Sequence, residues 1–180
     1  MMLTVHALAG LTLSRLAPES VPLSFSLALL SHFVLDSIPH GDSRVNSWKH
    51  IWRLFTVGFI DAACAVLVLA VFLVEPFLRF YSGPSECNGI YALCDFPIPF
   101  LPNVLVTIAA FIAALLPDFL EFVHKMILMR WKRDPLFGWF SRIHVFMHCL
   151  LRRRDVPILV GAGIQFCTFA FLVFAASRVW

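Results

Sequence analysis

Charge is scarce in this chain. Of 180 residues only 14% are Asp, Glu, Lys or Arg, against about 25% in ordinary soluble domains. Hydrophobic residues make up 60% and the mean hydropathy is +0.85. A soluble domain of this size cannot bury so much apolar surface, so lipid must cover part of it. That excludes a soluble enzyme, a disordered chain and a nucleic-acid reader acting through bulk charge; the net charge is only +3. Other things are missing too. There is no Gly-x-Ser-x-Gly for a nucleophilic serine and no low-complexity linker or internal repeat of the transporter kind. The opening Met1-Met2-Leu3-Thr4 lacks the basic region of a signal peptide, and it is read as part of the fold.

What the chain does have is long apolar runs. A membrane helix needs about 20 mainly apolar residues. Segments 54–80 and 156–178 meet that requirement, as do 100–128 and 21–38, the last two carrying acids and histidines toward one end. Segment 3–17 is short for a crossing and holds His6. Segment 136–151 mixes basic and apolar residues and reads as an amphipathic helix. The expectation is all-α: a single membrane domain over 1–180, with about five membrane helices and one cytoplasmic amphipathic helix.

Lys and Arg mark the cytoplasmic side of short loops. Segment 39–53 carries Arg44, Lys49 and Arg53, and segment 124–155 carries Lys125, Arg130, Lys132, Arg133, Arg142, Arg152, Arg153 and Arg154. Segment 81–99 has neither residue type, but has Glu86 and Asp95. The first two are therefore expected inside and 81–99 outside, with Arg15 as the one discordant charge. Cys87 and Cys94 fall in that outer loop, where a disulfide and two free thiols are equally open readings. Cys64, Cys149 and Cys167 are expected to serve as packing residues.

His32 and Asp36 are four apart on a helix, so an imidazole and a carboxylate share one face. Ionisable groups inside a span are costly and mark function by default. With this topology His6, His32, Asp36, Asp61, Asp118, Glu121, His124, His144 and His148 all fall in one cytoplasmic layer. Each has an ordinary alternative. His6 could be a hydrogen-bonded core residue, Asp61 a helix-pairing acid, Asp118 a partner of loop cations, and His144 and His148 headgroup contacts. The convergence of His6, His32, Asp36 and Asp118 instead favours a divalent metal site. Such an N/O donor set suits Zn, with Mn or Fe as alternatives. Pro39 ends the helix, and His40 and Asp42 then lie on a turn able to fold back over the site.

His6-Ala-Leu-Ala-Gly10, His32-Phe-Val-Leu-Asp36-Ser-Ile-Pro-His40-Gly-Asp42 and Leu115-Leu-Pro-Asp118 resemble the inner-membrane metal-dependent hydrolases, the group that includes the LexA-binding proteins. The His-x-x-x-Asp element is also similar to that of zinc-dependent phospholipases C. The resemblance touches about half the chain, through short motifs. It departs from the family pattern in motif order, and at Asp118-Phe-Leu-Glu121, where the family has Asp-His. The family's His-Arg-Gly-x-x-His element has only a loose substitute in Arg142-Ile-His144 and His148.

The resemblance implies an inner-membrane location and a His/Asp metal site. A metal-activated water beside the basic segments makes hydrolysis of a phosphoester or lipid headgroup at the cytoplasmic face the expected reaction. Glu121, His40 and Asp42 are the candidate general bases, and the basic loops would attract an anionic, phosphate-bearing substrate in membrane lipid. No nucleic acid is expected as a partner. The alternative is a non-enzymatic metal-binding membrane scaffold or carrier. The nearly apolar outer halves of the helices favour a one-sided site over a through-path.

Overall fold

The computed structural model describes residues 2–39, 51–82, 100–131, 138–150 and 156–179. Six helices occupy them: α1 (Leu3–Ser14), α2 (Val21–Asp36), α3 (Ile51–Ser82), α4 (Phe100–Trp131), α5 (Gly138–Leu150) and α6 (Ile158–Val179). No strand occurs among the described residues. Cys87 and Cys94, like His40 and Asp42, lie outside them.

Three helices carry stretches long and apolar enough to cross a membrane: Thr56–Val74 in α3, Val104–His124 in α4 and Leu159–Arg178 in α6. Each exposes large apolar side chains, among them Phe59, Leu67, Ile112, Phe166 and Phe171. Such surfaces suit hydrocarbon, since there no hydrophobic gain comes from hiding them. α1 and α2 are shorter than the expected 3–17 and 21–38. At 1.5 Å per residue they span roughly 18 and 24 Å, below the ~30 Å of a hydrocarbon core.

α1 forms the centre of the bundle. It packs against α2, α3, α4 and α6, and ten of its twelve residues are buried. A helix apolar on all sides is one that is enclosed. Leu8 and Leu11 pack with Phe72 of α3 and Ala176 of α6. Val5 and Ala9 join Leu35. On the remaining side Gly10 faces Ala28, Ala110 and Ala114, and a Cβ at Gly10 would stand 2.7 Å from the Ala114 Cβ. Small residues at this crossing let three backbones approach closely, which is how membrane helices gain packing energy.

The ends of α1 are closed by its neighbours. Met2, at its N-cap, makes no side-chain cap. Asp61 of α3 supplies one in trans: its carboxylate accepts from the amides of Leu3 at 2.6 Å and Thr4 at 3.1 Å, and from the Thr4 hydroxyl at 2.5 Å. The Met2 amide donates to Gln165 Oε1 of α6 at 3.3 Å. At the other end Arg15 donates to the Phe72 carbonyl at 2.9 Å, its guanidinium 5.4 Å from the Phe72 ring centroid. Residue 76 is proline and has no amide hydrogen, so the Phe72 carbonyl has no donor one turn ahead. Arg15, the charge at odds with the expected topology, thus has a specific acceptor inside the bundle.

The expectation that Cys64 and Cys167 are packing residues is corrected: both are free thiols on exposed faces of α3 and α6.

Candidate metal centre

α2 ends at Asp36, where Ser37 takes the C-cap position and bonds back to the Phe33 carbonyl. His32 and Asp36, one turn apart, are both fully enclosed beneath α1 and α4. Asp118 and Glu121 come from α4 immediately after the buried Pro117. His144 comes from α5, which touches α2 and α4.

Ligand-capable atoms of His32, Asp36, Asp118 and His144 all lie within 4.8 Å of one another. His32 Nε2 is 2.9 Å from Asp36 Oδ2 and 3.9 Å from Asp118 Oδ1. His144 Nε2 is 2.8 Å from Asp36 Oδ2, 3.7 Å from Asp118 Oδ1 and 3.3 Å from His32 Nε2. Two imidazole nitrogens and two carboxylates therefore point at one small volume.

The outer nitrogens are held in place. His32 Nδ1 is 2.6 Å from the Ala114 carbonyl. A carbonyl only accepts, so Nδ1 carries the proton and a neutral His32 presents the Nε2 lone pair to the cluster. Pro117 weakens the α4 ladder next to this carbonyl, because its ring removes an amide and crowds the turn before it. His144 Nδ1 contacts Glu121 Oε2. A second ring nitrogen tied to a carbonyl or carboxylate is the usual support for a metal-bound histidine.

His144 shows what the pocket does electrically. Burial opposes its charge, but hydrogen bonding to Asp36 and Glu121 outweighs this and raises its pKa to about 9. Without a cation, a proton on Nε2 bridges His144 to Asp36.

His6 is brought to the site, although it stands outside the four-residue set. Its ring stacks on His32 with centroids 4.0 Å apart, and Nε2 is 3.1 Å from Asp36 Oδ1. It backs the site from α1, while His144 occupies the position expected of a fourth ligand. Glu121 is likewise at the site, turned toward His144. His124 is half-buried on α4 and joins no four-residue group. Asp61 lies at the α1 cap, away from this cluster.

The donor set fits a divalent ion. Histidine nitrogens and carboxylate oxygens are borderline and hard donors in the combination that Zn, Mn and Fe accept. Asp118 Oδ2 is buried with no hydrogen-bond partner among the described residues, the arrangement of a carboxylate whose full complement is not supplied by protein. The sequence reading put His144 in the cytoplasmic layer of histidines and acids, with headgroup contact as an equal alternative, and left it out of the ligand set. The available signal was its i, i+4 relation to His148 together with the Arg142-Ile-His144 stretch. Comparison with family models, curated proteins and solved structures returned no match.

Proposed function

We propose that this protein is a membrane-embedded, metal-dependent hydrolase acting on a phosphoester, such as a lipid headgroup, at the cytoplasmic face of the inner membrane. The observation that carries the reading is the convergence of His32, Asp36, Asp118 and His144 within 4.8 Å. The motif resemblance adds the reaction class, and the basic segments 39–53 and 124–155 add the preference for an anionic substrate. In this reading α1 and α2 form a hairpin embedded beside the three long helices, completing a five-helix membrane bundle.

His32, Asp36, Asp118 and His144 hold the ion, with zinc the best match to the donors. A divalent ion bound there supplies Lewis acidity, activating water and neutralising charge on a phosphoryl oxygen. Asp118 Oδ2 is the described atom best placed to accept a proton from attacking water. Glu121 orients the His144 ring through Nδ1. His6 braces Asp36 and the His32 ring from behind.

The test is metal content of detergent-purified wild type beside His32→Ala and Asp36→Asn, followed by assay on phosphomonoester and phospholipid substrates. Stoichiometric metal in the wild type, its loss in both variants, and hydrolysis that follows the metal are expected. Metal binding without hydrolysis of any phosphoester would leave a metal-binding scaffold.

A further inference from the structure

α5 carries two faces. His144 points into the metal cluster and is 1% exposed. Trp139, Ile143 and Phe146 recur at spacings of four and three, which puts them on one stripe of a helix. At 100° per residue the centre of this stripe lies well over a quarter turn from His144. All three are open, at 65%, 46% and 62%, and Arg142 beside them is exposed too. Among the described residues α5 packs only on α2 and α4. A single helix thus supplies one cluster member from one face and a solvent-exposed aromatic–aliphatic stripe from another.

We infer that the Trp139–Ile143–Phe146 stripe of α5 inserts into the headgroup region of an anionic bilayer, and that this insertion seats His144 in the metal cluster. The inference rests on the metal-site reading and adds its regulation by lipid.

Three observations favour lipid over a protein partner. The chain already carries three helices fit to cross a bilayer, and α5 packs on one of them, α4. Tryptophan and phenylalanine above an apolar layer match the composition of interfacial helices. Charge is complementary as well: segment 124–155 holds eight of the chain's fourteen Lys and Arg, against Asp134 and Asp155. Each such cation near an anionic surface adds about 1 kcal/mol of attraction. On its other face α5 packs on α2 and α4, and there His144 lies against His32, Asp36, Asp118 and Glu121, with an edge contact of Phe33 on its ring at 6.3 Å. Water over the stripe would favour α5 leaving; lipid over it favours α5 staying.

The experiment measures zinc affinity of full-length protein in nanodiscs of phosphatidylcholine alone and of phosphatidylcholine with phosphatidylglycerol, for wild type, Ile143→Gln/Phe146→Gln and His144→Ala. Both glutamines replace exposed residues, so folding is not at stake. Wild type is expected to bind zinc roughly tenfold more tightly in the anionic discs, and the double variant to lose that gain. His144→Ala should bind weakly and equally in both. In parallel, lipids brominated on their acyl chains should quench a component of the tryptophan fluorescence that Trp139→Phe removes. Zinc binding that is tight and indifferent to lipid charge and to the stripe overturns the inference while leaving the metal site intact. An unquenched Trp139 overturns it too, and a dimer that buries the stripe, seen by cross-linking, would assign it to a second copy. Failure of wild type to bind zinc in any disc removes the metal-site reading itself.

Discussion

Asp36 stands among three imidazoles, with Oδ1 3.1 Å from His6 Nε2 and Oδ2 2.9 Å from His32 Nε2 and 2.8 Å from His144 Nε2. A carboxylate enclosed this completely needs positive charge, either protons on the rings or a cation. Asp36→Asn keeps the shape and removes the charge. It is expected to abolish stoichiometric metal binding while leaving the far-UV circular dichroism of the helical chain unchanged, measured on the same detergent preparation. His144 sets the pH response. Its pKa is about 9 in the metal-free chain, above the ordinary 6.5. Its protonated form therefore stabilises the metal-free fold fully below about pH 6.5, and that contribution is lost as pH rises through about 9. Metal must displace the Nε2 proton, so binding at neutral pH is expected to release a proton and to strengthen as pH rises toward 9. Calorimetry in buffers of differing ionisation enthalpy reads that proton directly; a release of zero at pH 7 would place His144 outside the coordination set. At this scale His32, Asp36 and Asp118 were legible from sequence, because an i, i+4 pair and a Leu-Pro-Asp turn are local patterns. His144 was only half legible, because on a basic amphipathic helix its i, i+4 relation to His148 suits a headgroup contact as well as a metal ligand.

Among the elements, α1 was read as short for a crossing, and the structure encloses it among α2, α3, α4 and α6. Five apolar segments and one amphipathic segment were visible as helices from hydropathy alone, with ends shifted by a few residues. That the shortest of them sits at the centre was signalled only by its apolar character on all sides. Its trans cap had no local signal, since Asp61 is 57 residues from Thr4. Two substitutions test this arrangement. Asp61→Ala leaves the Leu3 and Thr4 amides without their acceptor in a partly buried setting, and should cost roughly 1–3 kcal/mol of stability. Asp61→Asn, which keeps one accepting oxygen, should cost less. Gly10→Ala places a methyl 2.7 Å from the Ala114 Cβ, 3.1 Å from the Ala28 Cβ and 3.2 Å from the Ala110 carbonyl. None of these is the end of a flexible side chain, so the helices must separate, at about 1–3 kcal/mol. Both costs are read from denaturant unfolding in mixed micelles. A Gly10→Ala protein as stable as wild type would mean that α1, α2 and α4 are not in close contact.

At the level of the whole molecule, the site joins parts of the chain that are distant in sequence. His6, His32, Asp36, Asp118 and His144 come from α1, α2, α4 and α5, and the first and last are 138 positions apart. Such a site exists only in the assembled bundle, so a ligand that binds it binds the folded state and not the unfolded one. Folding then gains RT ln(1 + [L]/Kd), about 2.7 kcal/mol when free metal stands at a hundred times its Kd. A site without an ion would leave two carboxylates and several imidazoles facing one another in a buried space. The His144 proton offsets part of that, through its bond to Asp36. The remainder is Asp118, whose Oδ2 has no hydrogen-bond partner among the described residues, and whose burial is costly unless it protonates or pairs. Chelation of the purified protein is therefore expected to lower its melting temperature, and re-addition of zinc to restore it. The loss should shrink as pH falls below about 9, where a proton on His144 Nε2 takes the place of the cation. Asp61→Ala and Gly10→Ala should melt lower than wild type yet show the same chelator-dependent drop, because they weaken the bundle without touching a ligand. His32→Ala should show no drop at all. Identical melting of wild type with and without chelator would make His32, Asp36, Asp118 and His144 a hydrogen-bonded structural cluster.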